Sequence, residues 1–527
     1  MDRYSGPTLS NHSIYRSLVS LFGGVLFLTV TIERIPIPLP VQAGAIPATT
    51  LIAVAVVVPL YVARPHITIT PLTKLVFLFF GYLVIHSIIW VLIDVSLYGA
   101  GTSRIAAWVR QIIALAAGVS VYMTVRLIPS YLSDDSIITH IATGAVPAVI
   151  LAFLTILGIY GGIDPAAEFV RQVRVAFELR PLGQIRAAGL SLEPSHFGYT
   201  LATGVIPFLV VGYREGINGR RDLIGFVLVA VVFAFVSAAS VTSAVVFTGL
   251  LGGIVLFGPN RRIAIIGIVG AAIAVAVLLV VAPGSYPATQ FFRLISGKWG
   301  VSITTRAWST LGPIAGYFDV SDPLSILGYG LGGTTTHLEA LVPPEAARDL
   351  RAVSYNNMPN LNSMVGRILG EGGIIGITIF AMIFREAIGE ALAVREYLDQ
   401  PGIIAIAPAV LCGLAVGAAV AYGSFALPLL WLWLGLIDAK YLQVYPGGKD
   451  DTGTVLLRRS LKIPTTSHGT NPVDRLKRRL KSRSVPSVRS VCREVARWTG
   501  DKRKPRLSEQ DSTDNTKENR QLHPEDR

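Results

Sequence analysis

The chain has 527 residues, 52% hydrophobic and 15% charged, with mean hydropathy +0.56 and net charge +13. That composition excludes an ordinary soluble domain and points to an all-α polytopic membrane protein. The apolar runs are continuous rather than alternating, which argues against a transmembrane barrel.

Helix-length apolar runs predict about twelve transmembrane helices, near 16–32, 43–63, 73–97, 105–126, 137–161, 187–212, 223–238, 241–257, 263–282, 373–392, 403–421 and 427–443. The first run is followed by Glu33-Arg34 and a Pro-rich stretch, with no small-residue cleavage site, so it reads as a retained helix. The pair 223–257 reads as two short helices meeting at Ser237-Ala238-Ala239-Ser240. Before the last three runs lies a polar insert, Pro283 to Gly372. It holds Arg293, Arg306, Trp299, Trp308, a glycine run from Gly328 to Gly333, and Asn356, Asn357, Asn360 and Asn362. An enzyme at a membrane surface has a use for such an insert, because water-exposed loops carry chemistry that lipid-facing helices cannot.

Lys and Arg in the short loops set the orientation. With the N-terminus in the cytoplasm, the inner side carries Arg3, Arg16, Arg64, Lys74, Arg126, Arg214, Arg220, Arg221, Arg261, Arg262, Arg385 and Arg395. The outer short loops then carry Arg34, Arg104, Arg171, Arg174, Arg180 and Arg186. Residues 1–445 therefore read as a domain in the cell membrane, with the large loop 283–372 external and both termini cytoplasmic. The tail, 446–527, has 20 Lys and Arg against 11 Asp and Glu. It reads as basic and mostly disordered, suited to solvent or to anionic lipid. Within it, Val488, Val491, Cys492, Val495 and Trp498 fall at helical spacing, as in a short helix lying on the membrane. The only other cysteine, Cys412, sits in an apolar run, so neither a disulfide nor a cysteine-ligated zinc site is expected.

The densest polar string is Arg186-Ala-Ala-Gly-Leu-Ser-Leu-Glu193-Pro194-Ser195-His196. Read as one helix, it puts Arg186, Glu193, His196 and Thr200 near one face. Ionisable groups in a span face a wet cavity or each other. The string is either an Arg–Glu pair that ties helices together or an arginine holding an anion beside a working carboxylate. The glycine run has no basic residue after it, so it reads as a tight turn rather than a phosphate loop. His86 and His140 read as helix–helix hydrogen-bond partners. The segment Tyr213 to Arg221 reads as an inner-side anchor.

Taken in order, these motifs resemble the O-antigen polymerase and O-antigen ligase superfamily. The resemblance rests on Arg186, Gly189, Leu190 and Glu193-Pro194, then a Ser-rich junction (Ser237, Ser240, Ser243). A large late loop follows with Arg306, Trp308, Pro323, Gly328 and Gly330, and then the string Asn362, Leu369, Glu371, Gly373 and Gly376. Family ligases place a histidine before that last string; here the residues are Leu361-Asn362. Asparagine cannot serve as a base at neutral pH, although it can orient a hydroxyl.

The resemblance implies transfer of a glycan from a polyprenyl-pyrophosphate (or dolichyl-pyrophosphate) carrier to an acceptor hydroxyl at the outer membrane face, in surface polysaccharide biosynthesis. Its partners would be the lipid-linked donor, a glycan or lipid acceptor, the membrane and other polysaccharide-export proteins, with no nucleic acid. Arginine forks suit pyrophosphate oxygens, which makes Arg186, Arg306 and Arg110 the expected pyrophosphate ligands. Glu193, Asn362 and His337 are the expected catalytic residues, with Glu339 a further candidate. No cofactor and no metal is expected. The rival reading is a multi-span transporter or flippase for a lipid-linked or hydrophilic solute, whose site would lie near mid-membrane.

Overall fold

The computed structural model describes residues 9–33, 47–62, 68–97, 101–159, 161–177, 187–191, 193–216, 221–238, 240–258, 301–318, 326–353, 361–398, 402–420 and 423–445, with a few isolated positions. The chain divides into units 1–449 and 450–527. The second unit, with the expected basic helix from Val488 to Trp498, lies outside the described residues, as do nearly all of the expected span 263–282, and Arg186.

Among the described residues every regular element is helical. In chain order these are α1 (Leu9–Leu28), α2 (Ala48–Val62), α3 (Pro71–Leu97), α4 (Gly101–Leu127), α5 (Asp134–Ile159), α6 (Asp164–Ala176), α7 (Pro194–Thr200) and α8 (Ile206–Glu215). Then come α9 (Arg221–Ser237), α10 (Val241–Phe257), α11 (Val301–Phe318), α12 (Leu338–Leu341), α13 (Pro344–Val353), α14 (Met364–Tyr397), α15 (Ala407–Val420) and α16 (Pro428–Val444). A π-helical turn, Leu201–Val205, joins α7 to α8.

Among the described residues five segments are long and apolar enough to cross a membrane: Pro71–Leu97, Gly101–Ser130, Asp134–Gly158, Pro194–Glu215 and Met364–Tyr397. Four shorter apolar helices, Tyr15–Thr31, Ala48–Val62, Val241–Phe257 and Ala407–Val420, accompany them. At 1.5 Å per residue, the 27-residue α3 measures about 40 Å, more than a bilayer core. Its Ile85, Ile88, Ile89 and Leu92 face outward, as lipid-facing residues do, while α16 is buried from Pro428 to Ala439.

Two expected boundaries move. The run 187–212 is not helical from its start: Gly189 has φ +50° and Glu193 is extended (φ −134°, ψ 152°), and helix begins at Pro194. A proline disfavours the helical region for the residue before it, and it suits the first helical position. The last expected residues of the insert are helical, since α14 starts at Met364 rather than near 373, capped by the Ser363 hydroxyl accepting from the Gly366 N–H at 2.9 Å. The break between α9 and α10 falls where the serine pair predicts it, with the Ser240 hydroxyl capping α10 by accepting from the Ser243 N–H at 3.3 Å.

The polar groups collect at the two ends of the bundle. The end holding the C-terminus of α3 also holds the N-termini of α4, α7, α10 and α14; it is called the site end below. There the glycine run docks between helices. Gly373 interrupts α14 (φ 63°, ψ −162°), and the N–H groups of Tyr329 and Gly330 donate to the carbonyls of Gly370 and Glu371, each at 2.8 Å. The run slots against backbone: a Cβ on Gly332 (φ +74°) would lie 2.7 Å from the carbonyl carbon of Ala107 on α4.

Gly332→Ala should therefore combine left-handed strain with overpacking, a loss of about 2–4 kcal/mol. Gly252→Ala, inside α10 with nothing within 4 Å of the added carbon, should leave stability equal or slightly raised. Thermal unfolding of the two purified variants checks the contrast.

Candidate active site

Three chain-distant segments meet around Arg306. This residue lies on α11, and its Nη1 donates to Thr242 Oγ1 in the first turn of α10 at 2.6 Å. Its Nη2 donates to Glu193 Oε2 and to Ser195 Oγ, each at 3.2 Å. The Ser195 hydroxyl itself donates to Glu193 Oε2 at 3.1 Å. The ion pair is only partly covered, with side-chain exposures of 19% for Arg306 and 38% for Glu193. Glu193 stands directly before α7, where the extended backbone imposed by Pro194 turns its carboxylate toward α11. The starts of α7 and α10 pack side by side, since the Ser243 hydroxyl donates to the Ser195 carbonyl at 3.2 Å. Gly198 permits this approach: a Cβ there would lie 2.2 Å from Ser243 Oγ. Two helix N-termini beside a guanidinium make a favourable setting for negative charge.

The loop leading to Glu193 is fastened from below. Arg174, buried on α6, donates from Nη1 to the carbonyls of Gly189 (3.1 Å) and Ser191 (3.2 Å). Burial draws its guanidinium down to about 10, opposed by the charge of Glu33, so it stays protonated at neutral pH. His196 Nδ1 lies 2.6 Å from Glu33 Oε1. Sequence reasoning passed over Glu33 and Arg174 because both read as ordinary loop charges.

Asn362 arrives beside the same helix. Three residues beyond Arg306, the Ser309 hydroxyl donates to the Thr305 carbonyl at 2.6 Å and accepts from the Asn362 N–H at 2.9 Å. Residues three apart share a helix face, so the start of α14 is set one turn from Arg306. The Asn362 side chain is half-buried and makes no hydrogen bond to a described residue.

The other expected residues fall elsewhere. His337 belongs to a second cluster: its Nε2 donates to Asp94 Oδ1 at 2.8 Å, and its ring stacks on Tyr329 with centroids 4.3 Å apart. That nitrogen is committed to a buried carboxylate, which suits a fastening better than a base. Asp94 Oδ2 accepts from Arg104 Nε at 2.5 Å, and Arg104 spends Nη1 and Nη2 on the carbonyls of Leu331 (2.7 Å) and Tyr329 (3.1 Å). Glu339 pairs with Arg351 in the open, at 2.7 Å. Arg110 is half-buried on α4 without a hydrogen bond or ion pair to a described residue, while its neighbour Gln111 accepts from Arg367 Nη1 at 2.8 Å. His86 does meet another element, with its Nε2 3.2 Å from the Gly328 carbonyl. Among the described residues no group of three His, Cys, Asp or Glu is placed to hold a metal ion.

No protein-family model matches the chain, and a search of characterised proteins finds no relative.

The two kinds of pair should respond differently to mutation. Asp94→Asn strands a buried Arg104 and should cost about 3–5 kcal/mol of stability. Glu339→Gln, which opens an exposed pair, should cost less than about 1 kcal/mol. Denaturation of the two proteins in the same detergent checks the difference.

Proposed function

We propose that this chain transfers a glycan from a polyprenyl-pyrophosphate carrier to an acceptor hydroxyl, at the outer face of the cell membrane, in surface polysaccharide biosynthesis. The observation that carries the proposal is the Arg306 fork, held by Thr242, Ser195 and Glu193 from two helix starts. A planar guanidinium keeps its charge at any working pH and matches phosphate oxygens two at a time. The pyrophosphate would take the place of the Glu193 carboxylate on Nη2, with the Ser195 and Thr242 hydroxyls completing its shell.

The displaced carboxylate is then free to act. In the transfer, the acceptor oxygen forms a bond to the anomeric carbon and the bond from that carbon to the pyrophosphate oxygen breaks. The electron pair leaves on the pyrophosphate, where Arg306 meets the developing charge. The acceptor proton passes to Glu193. Asn362, set beside Arg306, would orient the acceptor hydroxyl.

The membrane arrangement belongs to the same proposal: about twelve spans, both termini inside, and the insert outside. Its support is the basic residues at the end opposite the site, among them Lys74, Arg126, Arg214, Arg221 and Arg395. In a chain with Cys412 and Cys492 replaced by serine, a cysteine at the exposed Thr336 should react with an impermeant reagent in intact cells, and one at Ser512 should not. The reverse pattern overturns the orientation.

Transfer itself is tested with purified protein and a lipid-linked donor. Arg306→Lys should lose activity nearly as fully as Arg306→Ala, on the order of 100-fold, because a point charge does not reproduce a fork. Glu193→Gln should fold and bind donor yet not transfer. Wild-type rates in Arg306→Lys would remove the pyrophosphate clamp, and wild-type rates in Glu193→Gln would leave Glu193 a tether only.

A further inference from the structure

Glu33, which the transfer chemistry above does not use, follows α1 at the site end. It is the last of three successive residues that reach three different partners. The Thr31 hydroxyl donates to the Gly144 carbonyl on α5 at 2.7 Å. The Ile32 carbonyl accepts from the Ala48 N–H at the start of α2, at 3.2 Å. The Glu33 N–H donates to the Leu190 carbonyl at 3.4 Å, and its Oε1 lies 2.6 Å from His196 Nδ1. A carboxylate only accepts, so the hydrogen of that second bond sits on Nδ1. Both side chains are mostly covered, with exposures of 12% for Glu33 and 20% for His196.

The two bonds of Glu33 fall on either side of Glu193. Leu190 comes three residues before it, and His196 three residues after it, in the first turn of α7. All three carbonyls of the strip Gly189 to Ser191 are taken up: Arg174 Nη1 holds the first and the last, at 3.1 and 3.2 Å, and the Glu33 N–H holds the middle one. Ile32 and Leu190 also pack in one apolar cluster with Leu151 and Val170. The charge of Glu33 acts on Arg174 as well, so the two tethers support each other. With its flanks held in this way, Glu193 keeps its Oε2 for Arg306 Nη2 at 3.2 Å and for Ser195 Oγ at 3.1 Å.

We propose that Glu33 is a positioning residue of the transfer reaction, acting through His196 to hold Glu193 where it meets first Arg306 and then the acceptor hydroxyl. The inference rests on the transfer reading given above. When pyrophosphate takes Nη2, Glu193 gives up its bond to Arg306. The bonds on its flanks remain, and they limit where the carboxylate can go. They bear on proton transfer more than on donor binding, because Arg306 and Thr242, which would hold the donor, belong to α11 and α10 and not to the strip. A base misplaced by about 1 Å can lose on the order of 100-fold in rate.

The test compares the full-length wild type with Glu33→Ala, Glu33→Gln and His196→Ala in detergent, with a polyprenyl-pyrophosphate-linked oligosaccharide as donor. Glu33→Ala should lower kcat about 10-fold and leave the KM for donor within about twofold of wild type. Glu33→Gln, whose amide oxygen still accepts from Nδ1, should restore most of the rate. His196→Ala should lose as much as Glu33→Ala, and the double variant no more than either. Hydrogen exchange across residues 190–196, read by mass spectrometry, should quicken in Glu33→Ala and stay near wild type in Glu33→Gln. A wild-type kcat in Glu33→Ala, or a raised KM with kcat unchanged, overturns the proposal. So does a Glu33→Gln variant as slow as Glu33→Ala, which would assign the effect to the lost charge. If Glu33→Ala does not fold, the other two variants decide: a wild-type rate in His196→Ala, or a loss in Glu33→Gln as large as in His196→Ala, overturns it. Faster exchange with unchanged transfer refutes this inference alone, whereas a wild type that transfers from no such donor refutes the transfer reading and this inference with it.

Discussion

The bond between Asp94 and Arg104 holds the site end together. Both side chains are fully buried, 2.5 Å apart, one on α3 and the other on α4. Two charges taken out of water repay their desolvation only when their remaining hydrogen-bonding capacity is used. Here it is used on the insert: Arg104 donates to the carbonyls of Tyr329 and Leu331, and Asp94 accepts from His337. One ion pair thus fastens a distant polar segment to two spanning helices. The segment can approach closely because Gly328, Gly330 and Gly332 carry no Cβ where they meet the break in α14, α3 and α4.

That fastening separates two kinds of charge at the same end of the molecule. Asp94, Arg104 and His337 have their bonding capacity directed inward, and they act as joints. Glu193 and Arg306 are partly open, share hydroxyl partners, and sit between two helix starts, so an incoming anion has something to replace. The joint determines where the insert lies; α11, which belongs to the insert, then brings Arg306 to Glu193 and Ser309 to Asn362. A polar cluster on a rigid frame suits the transfer proposed above, since positioning supplies much of the rate of such chemistry.

The sequence made much of this legible. Continuous apolar runs announced the helices, the serine pair at 237–240 announced the break between α9 and α10, and the glycine run announced tight turns. The pairing of Glu193 with Arg306 was within reach only as a shared choice of two residues, because they are 113 positions apart. The single helical face expected for Arg186, Glu193, His196 and Thr200 is broken at Gly189 and Glu193, where the backbone is not helical. His337 looked like a base because histidine often is one; its carboxylate partner, Asp94, lies 243 residues away in an apolar run.

Taken alone, the sequence determined the class of protein, an all-helical membrane chain, because hydrophobic length and local backbone preference are properties of neighbouring residues. It also marked where α10 begins, through Ser240, whereas the helix starts at Pro194 and Met364 fell away from the edges of the apolar runs. Only the tertiary structure decided which charges are joints and which are open. Those are facts about burial and about partners brought from distant parts of the chain, and a charged side chain bears no local mark of the partner it will meet.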